Sequence, residues 1–118
     1  MKTIKYPRTH HLPWSESITN DDRTLSSCDA FVGQRVVVTE KYDGENTTLY
    51  RNTTHARSMN SANHPSRNWV KGMWGAIRHN IPHDMRICGE NCFAKHSIHY
   101  TNLPSYFLGF SAWRDTVC

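Results

Sequence analysis

The chain has 118 residues, which is enough for one domain with a single core and too few for two. Lysine and arginine number 14 against 10 aspartate and glutamate, so the net charge is +4 and the pI is about 9.0, which favours a polyanionic partner without proving one. No stretch is apolar enough for a secretory signal or a membrane span, so the composition predicts a soluble protein of the cytoplasm, or of the host cytoplasm if the protein is viral.

The first third of the chain predicts little regular structure. Residues 1–34 are rich in proline, serine, aspartate, asparagine and threonine, which is typical of an irregular surface segment. One capped turn is possible from Thr19 to Leu25. At Val36–Val38 a β-branched run predicts a strand that leads to Lys41.

A turn and a second strand follow. Tyr42-Asp43-Gly44 is a strong turn signal, and Thr47–Tyr50 is again typical of a strand. We therefore predict a strand, a turn that carries functional residues, and a strand.

The middle of the chain predicts one amphipathic helix, with Ser66 as its N-cap. The helix is expected to end near His79-Asn80, before Pro82. Its apolar residues recur at helical spacing and are assigned to core packing. These residues are Trp69, Val70, Met73, Trp74 and Ile77.

Two further strands are predicted near the C-terminal end. The first is Met85–Cys88, which runs into Gly89-Glu90, and the second is Tyr106–Ala112, with Tyr106, Leu108, Phe110 and Ala112 on one side. The predicted fold class is therefore α+β, with mostly antiparallel strands and a flanking helix.

The four cysteines of an intracellular chain are expected to be free thiols. Cys88, Cys92, His96 and His99 lie at spacings of four, four and three residues, so a zinc site has to be considered. The strand predicted before Gly89 and the absence of a common zinc-finger spacing argue against it. Buried or free thiols and solvent-facing histidines are the favoured interpretation.

The most informative stretch is Thr39–Asn46. Lys41 follows a predicted strand, precedes a glycine turn and has carboxylates on both sides, so its amine is well placed to enter a cleft. An ordinary surface lysine beside a hairpin turn has the same local pattern, and four residues are too few to identify an enzyme.

Several segments in the expected order resemble the covalent nucleotidyltransferases, which comprise DNA ligases, RNA ligases and messenger-RNA capping enzymes. Lys41-Tyr42-Asp43-Gly44 resembles motif I, Ala56-Arg57-Ser58 motif Ia, Ile87–Asn91 motif III and Tyr106–Ser111 motif IIIa. Asn46 occupies a position where many RNA ligases have asparagine and DNA ligases usually have arginine. The run from Gly89 to Phe107 is similar to that of phage-type RNA ligases.

The resemblance implies part of a nucleotidyltransferase (ligase adenylation) fold and an ATP-dependent, Mg²⁺-requiring enzyme. It implies that Lys41 carries AMP, which then passes to an RNA 5′-phosphate before a 3′-hydroxyl completes the joint. Attack on ATP requires a neutral amine, whereas an ordinary lysine titrates at about 10.4. The site therefore has to lower that pKa by desolvation or by a nearby cation such as Mg²⁺.

The resemblance also assigns the binding residues. Glu40 would hold the adenine through its main chain, Glu90 would take the ribose hydroxyl, and Phe110 would stack on the base. Arg57 would bind a phosphate, and Asn46 would hold the nucleotide phosphate or the RNA end. Outside the motif order, a surface ion pair, core packing and an ordinary turn asparagine would account for Arg57, Phe110 and Asn46.

Motifs IV and V of the superfamily have no counterpart in the 118 residues, and Ser111 stands where many relatives have aspartate. On the resemblance, the chain is the N-terminal part of an adenylyltransferase domain. Expressed alone, it is expected to be marginally stable and unable to label itself with AMP. The alternative function is a nucleic-acid-binding remnant of a ligase fold without catalytic activity.

Overall fold

A four-stranded antiparallel sheet organises the chain in a computed structural model that describes residues 2–16, 22–59 and 63–118. The strands pair in the order β2-β1-β3-β4. The strands are β1 (Glu45–Tyr50), β2 (Thr54–Ala56), β3 (Met85–Asn91) and β4 (Phe107–Arg114), and the helix is α1 (Asn68–Ile77). The antiparallel pairing, the helix and the α+β class agree with the sequence prediction, whereas β2 was not predicted.

The chain divides into two compact units, Met1–Tyr6 with Lys41–Cys118, and Pro7–Glu40. The second unit has little regular structure. It contains one 3₁₀ turn at Asp29–Phe31 and an isolated bridge between His11 and Thr24. Irregular structure was predicted for this part of the chain, although Thr19, where the capped turn was expected to begin, lies outside the described residues.

Successive residues of a strand point to opposite sides, so the sheet has two distinct faces. The helix face carries Thr47, Leu49 and Ile87, and α1 covers it. The core lies there: Leu49, Val70 and Ile81 are buried against one another, and the partly buried apolar residues around them include both tryptophans of the helix. These are Trp69, Met73, Trp74, Ile77, Ile87 and Phe107. The assignment of Trp69 and Trp74 to packing is therefore confirmed.

The opposite side, which we call the polar face, carries the alternate residues of the two central strands. These are Asn46, Thr48 and Tyr50 on β1 and Arg86, Cys88 and Glu90 on β3. The amino-terminal segment contacts this face, because the Ile4 amide donates to the Tyr50 hydroxyl at 2.7 Å. Polar groups on this face are thus removed from water by the chain itself.

The strand predicted at Val36–Val38 is wrong. The structure has no regular secondary structure there, and the side chain of Val38 is 90% exposed. A β-branched run becomes a strand only where a neighbouring strand takes its backbone hydrogen bonds. Within the described chain the four sheet strands begin at Glu45 and none pairs with this run.

The predicted N-cap is also wrong. A 3₁₀ turn at Pro65–Arg67 precedes α1, and Ser66 lies inside it. His64 caps this turn, since its Nδ1 accepts the Ser66 amide at 3.2 Å, and the N-cap residue of α1 itself is Arg67, whose side chain makes no capping hydrogen bond. The predicted end is close to the observed one, because α1 continues into a 3₁₀ turn at Arg78–Asn80.

Strand β4 departs from the predicted alternation. The register shifts between Cys88, which pairs with Ser111, and Gly89, which pairs with Gly109, so Phe110 is an extra residue in a β-bulge. Phe110 and Trp113 both contact the ring of Tyr6. The regular placement of Phe110 with Leu108 and Ala112 on one side is therefore wrong.

In the part of the chain that the structure describes, no helix has the length and apolar character needed to cross a bilayer.

Candidate functional site

The turn that carries Lys41 meets the end of β3 at one edge of the central strand pair. The Gly44 amide donates to Oε1 of Glu90 at 3.2 Å, across 46 residues of sequence. Asn46 pairs with Glu90 in the sheet, so their side chains lie on the polar face together. Two of the segments singled out in the sequence are thus brought into direct contact.

Gly44 is required by close packing at this contact. A Cβ atom at Gly44 would lie 2.4 Å from the Asn91 carbonyl oxygen and 3.0 Å from Sγ of Cys92. Both distances are shorter than packed atoms tolerate, and the nearer atom belongs to backbone that cannot easily move. The glycine therefore allows the Lys41 turn to approach β3 closely.

A distant segment holds the same turn in place. Oδ2 of Asp43 accepts the Ser97 amide at 2.6 Å and the Ile98 amide at 3.2 Å. The Asp43 amide donates to the Tyr100 hydroxyl at 2.8 Å, and the rings of Tyr42 and Tyr100 lie 5.4 Å apart. The hydrogen bond from Ser97 is the main cause of a lowered Asp43 pKa, which keeps the carboxylate charged.

The pKa of Glu90 is shifted in the opposite direction from that of Asp43. Burial raises its pKa above the ordinary value, and the Gly44 amide and the charge of Lys41 only partly oppose that rise. Lys41 lies three residues before Gly44, whose amide donates to Glu90. The Lys41 side chain is exposed, so the amine is open to a ligand from solvent.

Asn46 has an unmet hydrogen-bonding requirement. Its Oδ1 is buried and has no partner among the described residues. An unsatisfied buried polar atom costs about 1–3 kcal/mol, so such an atom is expected to meet a partner in the functional state. A ligand hydroxyl or a divalent cation would satisfy a carbonyl oxygen, and both groups therefore fit the residues present.

The three other predicted site residues are Arg57, Phe110 and Glu40. Arg57 is exposed and follows Ala56, which pairs with Thr47, so it lies at the same end of the sheet. Phe110 is 52% exposed on β4, with Tyr6 edge-on at 5.5 Å between ring centroids. Glu40 is exposed and belongs to the unit Pro7–Glu40. The structure thus brings together the Lys41 turn and the end of β3 through the Gly44–Glu90 hydrogen bond.

Sequence reasoning gave no role to Tyr6 and Tyr100. Burial is the main cause of a raised Tyr6 pKa, and the Tyr6 ring contacts Phe110 and Trp113 of β4. The Tyr100 hydroxyl accepts a hydrogen bond from the amide of Asp43, which lies 57 residues earlier in the sequence. Tyr100 falls within the Gly89–Phe107 run that resembles phage-type ligases, and that resemblance was the one available signal.

The alternative zinc constellation is spread out in the structure. Cys88 is buried in β3 with its Sγ 3.6 Å from the Thr48 hydroxyl, whereas His96 and His99 are exposed. No group of three or more histidine, cysteine, aspartate or glutamate side chains is arranged to hold a metal ion within the described ranges. All four cysteines are free thiols.

Comparison with known proteins gives one match. A family model described as RNA ligase matches residues 34–117, which is well over half of the chain. The matched range includes the Lys41 turn, Asn46, Arg57, Glu90 and Phe110. No curated protein and no solved structure shows a significant match.

Proposed function

The chain belongs to the RNA ligase family, and from that premise we propose that it is an ATP-dependent RNA ligase that carries AMP on Lys41. The observation that supports this most is the contact of the Lys41 turn with Glu90 through the Gly44 amide. It brings the turn that carries the exposed Lys41 to the half-buried Glu90 carboxylate, on the face that holds the unsatisfied Asn46 oxygen. We also propose that the antiparallel sheet is part of a nucleotidyltransferase fold of the phage-type branch.

In the proposed first step, Nζ of Lys41 bonds to the α-phosphorus of ATP. The bond from that phosphorus to the bridging oxygen breaks, pyrophosphate leaves, and the amine loses a proton. Lys41 is exposed, so packing of the protein does not desolvate its amine. Bound Mg²⁺ would neutralise phosphate charge and disfavour the protonated amine.

The remaining residues would bind and orient the nucleotide. Glu90 would accept a ribose hydroxyl, and Phe110 would offer the exposed half of its ring to the base. Asn46 would give its buried oxygen to a hydroxyl or to the cation, and Arg57 would bind a phosphate. The main chain at Glu40 would contact the adenine.

Two further steps complete the proposed reaction. The oxygen of an RNA 5′-phosphate attacks the phosphorus held by Lys41, the N–P bond breaks, and the RNA end carries AMP. A 3′-hydroxyl then attacks the 5′-phosphorus, loses its proton and displaces AMP. The substrates are thus RNA ends with a 5′-phosphate and a 3′-hydroxyl.

The decisive experiment is labelling of the protein, expressed from its complete gene, with ATP radioactive at the α-phosphate and with Mg²⁺. A labelled band is expected, and Lys41→Ala should abolish it. Lys71→Ala is the matched control, because Lys71 is an exposed lysine of α1 and should leave labelling intact. A band that survives Lys41→Ala would sink the assignment. RNA binding without any band in the wild type would favour a non-catalytic remnant.

The preference for RNA is tested separately. Asn46 stands where many RNA ligases have asparagine, so matched RNA ends should be sealed faster than DNA ends. Equal or better sealing when both ends are DNA would contradict the RNA assignment while leaving the lysyl-AMP chemistry in place.

A further inference from the structure

A polar cavity opens on the helix face beside the Lys41 turn. Its volume is about 430 Å³, within the range of ligand pockets and far larger than a single water molecule needs. No large apolar side chain lines it. The lining residues are Glu45, Asn63, His64, Ser66, Arg67, Asn91, Ala94, Lys95 and His96.

The cavity lies directly behind the candidate site. Glu45 follows Gly44, and Asn91 follows Glu90, and these two lining residues pair with each other in the sheet. Because alternate residues point to opposite sides, Glu45 and Asn91 face the cavity while Asn46 and Glu90 face the other way. A ligand in the cavity would thus lie on one face of the sheet, and the candidate site would lie on the opposite face.

The walls are fixed before any ligand arrives. Asn91 is only 3% exposed, and its amide joins two other elements. Its Nδ2 donates to the Ser66 carbonyl at 3.3 Å, while its Oδ1 accepts the Phe93 amide at 3.2 Å. The end of β3, the turn before α1 and the segment after β3 are therefore held together. Such a site loses little entropy when it binds.

The charge of the cavity favours an anion. Glu45 is the one carboxylate among the lining residues, and Arg67 neutralises it with two hydrogen bonds of 2.7 Å. Lys95 then leaves an excess positive charge, and it is exposed. His64 uses Nδ1 to accept the Ser66 amide, so the neutral ring keeps Nε2–H as its donor. Cationic groups and N–H donors are the groups that bind phosphate oxygens in protein–nucleic acid contacts.

We propose that this cavity binds a backbone phosphate of the RNA strand that the enzyme seals, with Lys95 as the main cationic contact. The proposal rests on the proposed function, since it takes RNA as the substrate. The contact would hold the strand against the reverse side of the edge that carries Lys41 and Glu90. It reads no base, so it should act equally on RNAs of different sequence.

The test is equilibrium binding of fluorescein-labelled single-stranded RNAs of two unrelated sequences, measured by anisotropy over a series of salt concentrations. Lys95→Ala should raise the Kd of both RNAs about fivefold and lower the salt-dependence slope by about 0.7, the value for one phosphate contact on a single strand. Lys95→Arg should restore most of the binding. Lys2→Ala removes an exposed lysine outside the lining and should leave both quantities unchanged.

Three results would overturn the proposal: a Kd and slope unchanged in Lys95→Ala, an effect confined to one of the two RNA sequences, or no RNA binding by the wild type at low salt. Weaker binding of ATP alone in Lys95→Ala would assign the cavity to the triphosphate, which also contradicts it. Failure of the lysyl-AMP assay is separate, because RNA binding is measured without ATP. A wild type that binds RNA through Lys95 but takes up no label would keep this site and remove the ligase chemistry.

Discussion

The two faces of the sheet carry different kinds of side chain at the same strands. On the helix face, Leu49 is fully buried against Val70 and Ile81. On the polar face, Thr48 is equally buried but is polar, and Arg86 is 2% exposed. Both faces bury apolar surface, since Tyr50 and Cys88 are buried on the polar face, but the buried cluster on the helix face is aliphatic, whereas the polar face also buries groups that need hydrogen-bond partners.

The polar face also holds the unmet hydrogen bonds. Within the described ranges, the buried side-chain atoms without a partner are Oδ1 of Asn46 and Nε of Arg86, and both belong to this face. Each buried atom without a hydrogen-bond partner lowers the free energy of unfolding. The difference teaches that the helix face supplies stability, while the polar face keeps groups available for ligands at some cost in stability.

The largest loss of stability is expected from a substitution in the core on the helix face. Leu49→Ala removes a fully buried side chain from the core cluster and should lower the free energy of unfolding by about 2–5 kcal/mol. Urea titration measures this. Val37→Ala, at a side chain that is 87% exposed, should stay within about 0.5 kcal/mol. A loss at Leu49 no larger than that at Val37 would contradict the assignment of stability to this face.

The second largest loss of stability is expected where the Lys41 turn packs against β3. Gly44→Ala forces a Cβ against the Asn91 carbonyl and should cost about 1–3 kcal/mol, with loss of lysyl-AMP formation. Gly75→Ala is the matched control, since a Cβ there meets no atom within 4 Å and Gly75 lies inside α1. It should stabilise the protein by about 0.5–1 kcal/mol, because alanine is the better helix former. Equal effects at both glycines would refute the close-approach argument.

A smaller effect on stability is expected from the segment that holds the turn. Tyr100→Phe removes the acceptor of the Asp43 amide and should cost about 1 kcal/mol. The rate of lysyl-AMP formation at saturating ATP should fall about three- to tenfold, because Lys41 is less well positioned. Tyr106→Phe serves as control, since its hydroxyl makes no hydrogen bond within the described chain. Labelling that is unaffected in Tyr100→Phe would show that this hydrogen bond does not position the turn.

The smallest effect should come from the polar face itself and depends on pH. Burial raises the pKa of Glu90 above 4.5, so the folded state binds the proton of this carboxyl more tightly than the unfolded state does. Its contribution to stability is full below pH 4.5 and is lost as pH rises through the raised pKa. Glu90→Gln should therefore equal or exceed the wild type at neutral pH, by less than about 1 kcal/mol because the group is half exposed.

Thermal melts of Glu90→Gln and the wild type between pH 4 and pH 8 test this sign. The difference in melting temperature should move in favour of the glutamine variant as pH rises, while labelling is reduced. A variant that becomes relatively less stable at high pH would show that the fold stabilises the Glu90 carboxylate, whereas burial should destabilise it.

Local patterns in the sequence were sufficient for most of the regular elements. Strands β1 and β3, helix α1 and most of β4 were predicted, because alternation and helical spacing of apolar residues are properties of neighbouring positions. The RNA ligase family was also recognised from the sequence, through the segments around Lys41, Glu90 and Phe110, and the family match over residues 34–117 confirms that family; the roles of the single residues stay predictions.

Errors arose where a distant partner decides the local structure. Val36–Val38 has high strand propensity but no strand to pair with in the described chain. Ser66 does not cap α1 because a 3₁₀ turn, capped by His64, includes it and precedes the helix. Phe110 left the regular alternation because β4 has one residue more than its partner at the bulge.

The sequence by itself thus determined most of the regular elements, their period and the family to which the chain belongs. Only the tertiary structure decided which distant residues meet. The contacts of Gly44 with Glu90 and of Asp43 with Tyr100 span 46 and 57 residues. Pairings at such separation depend on strand register and on the packing of both sheet faces, and no local pattern records them.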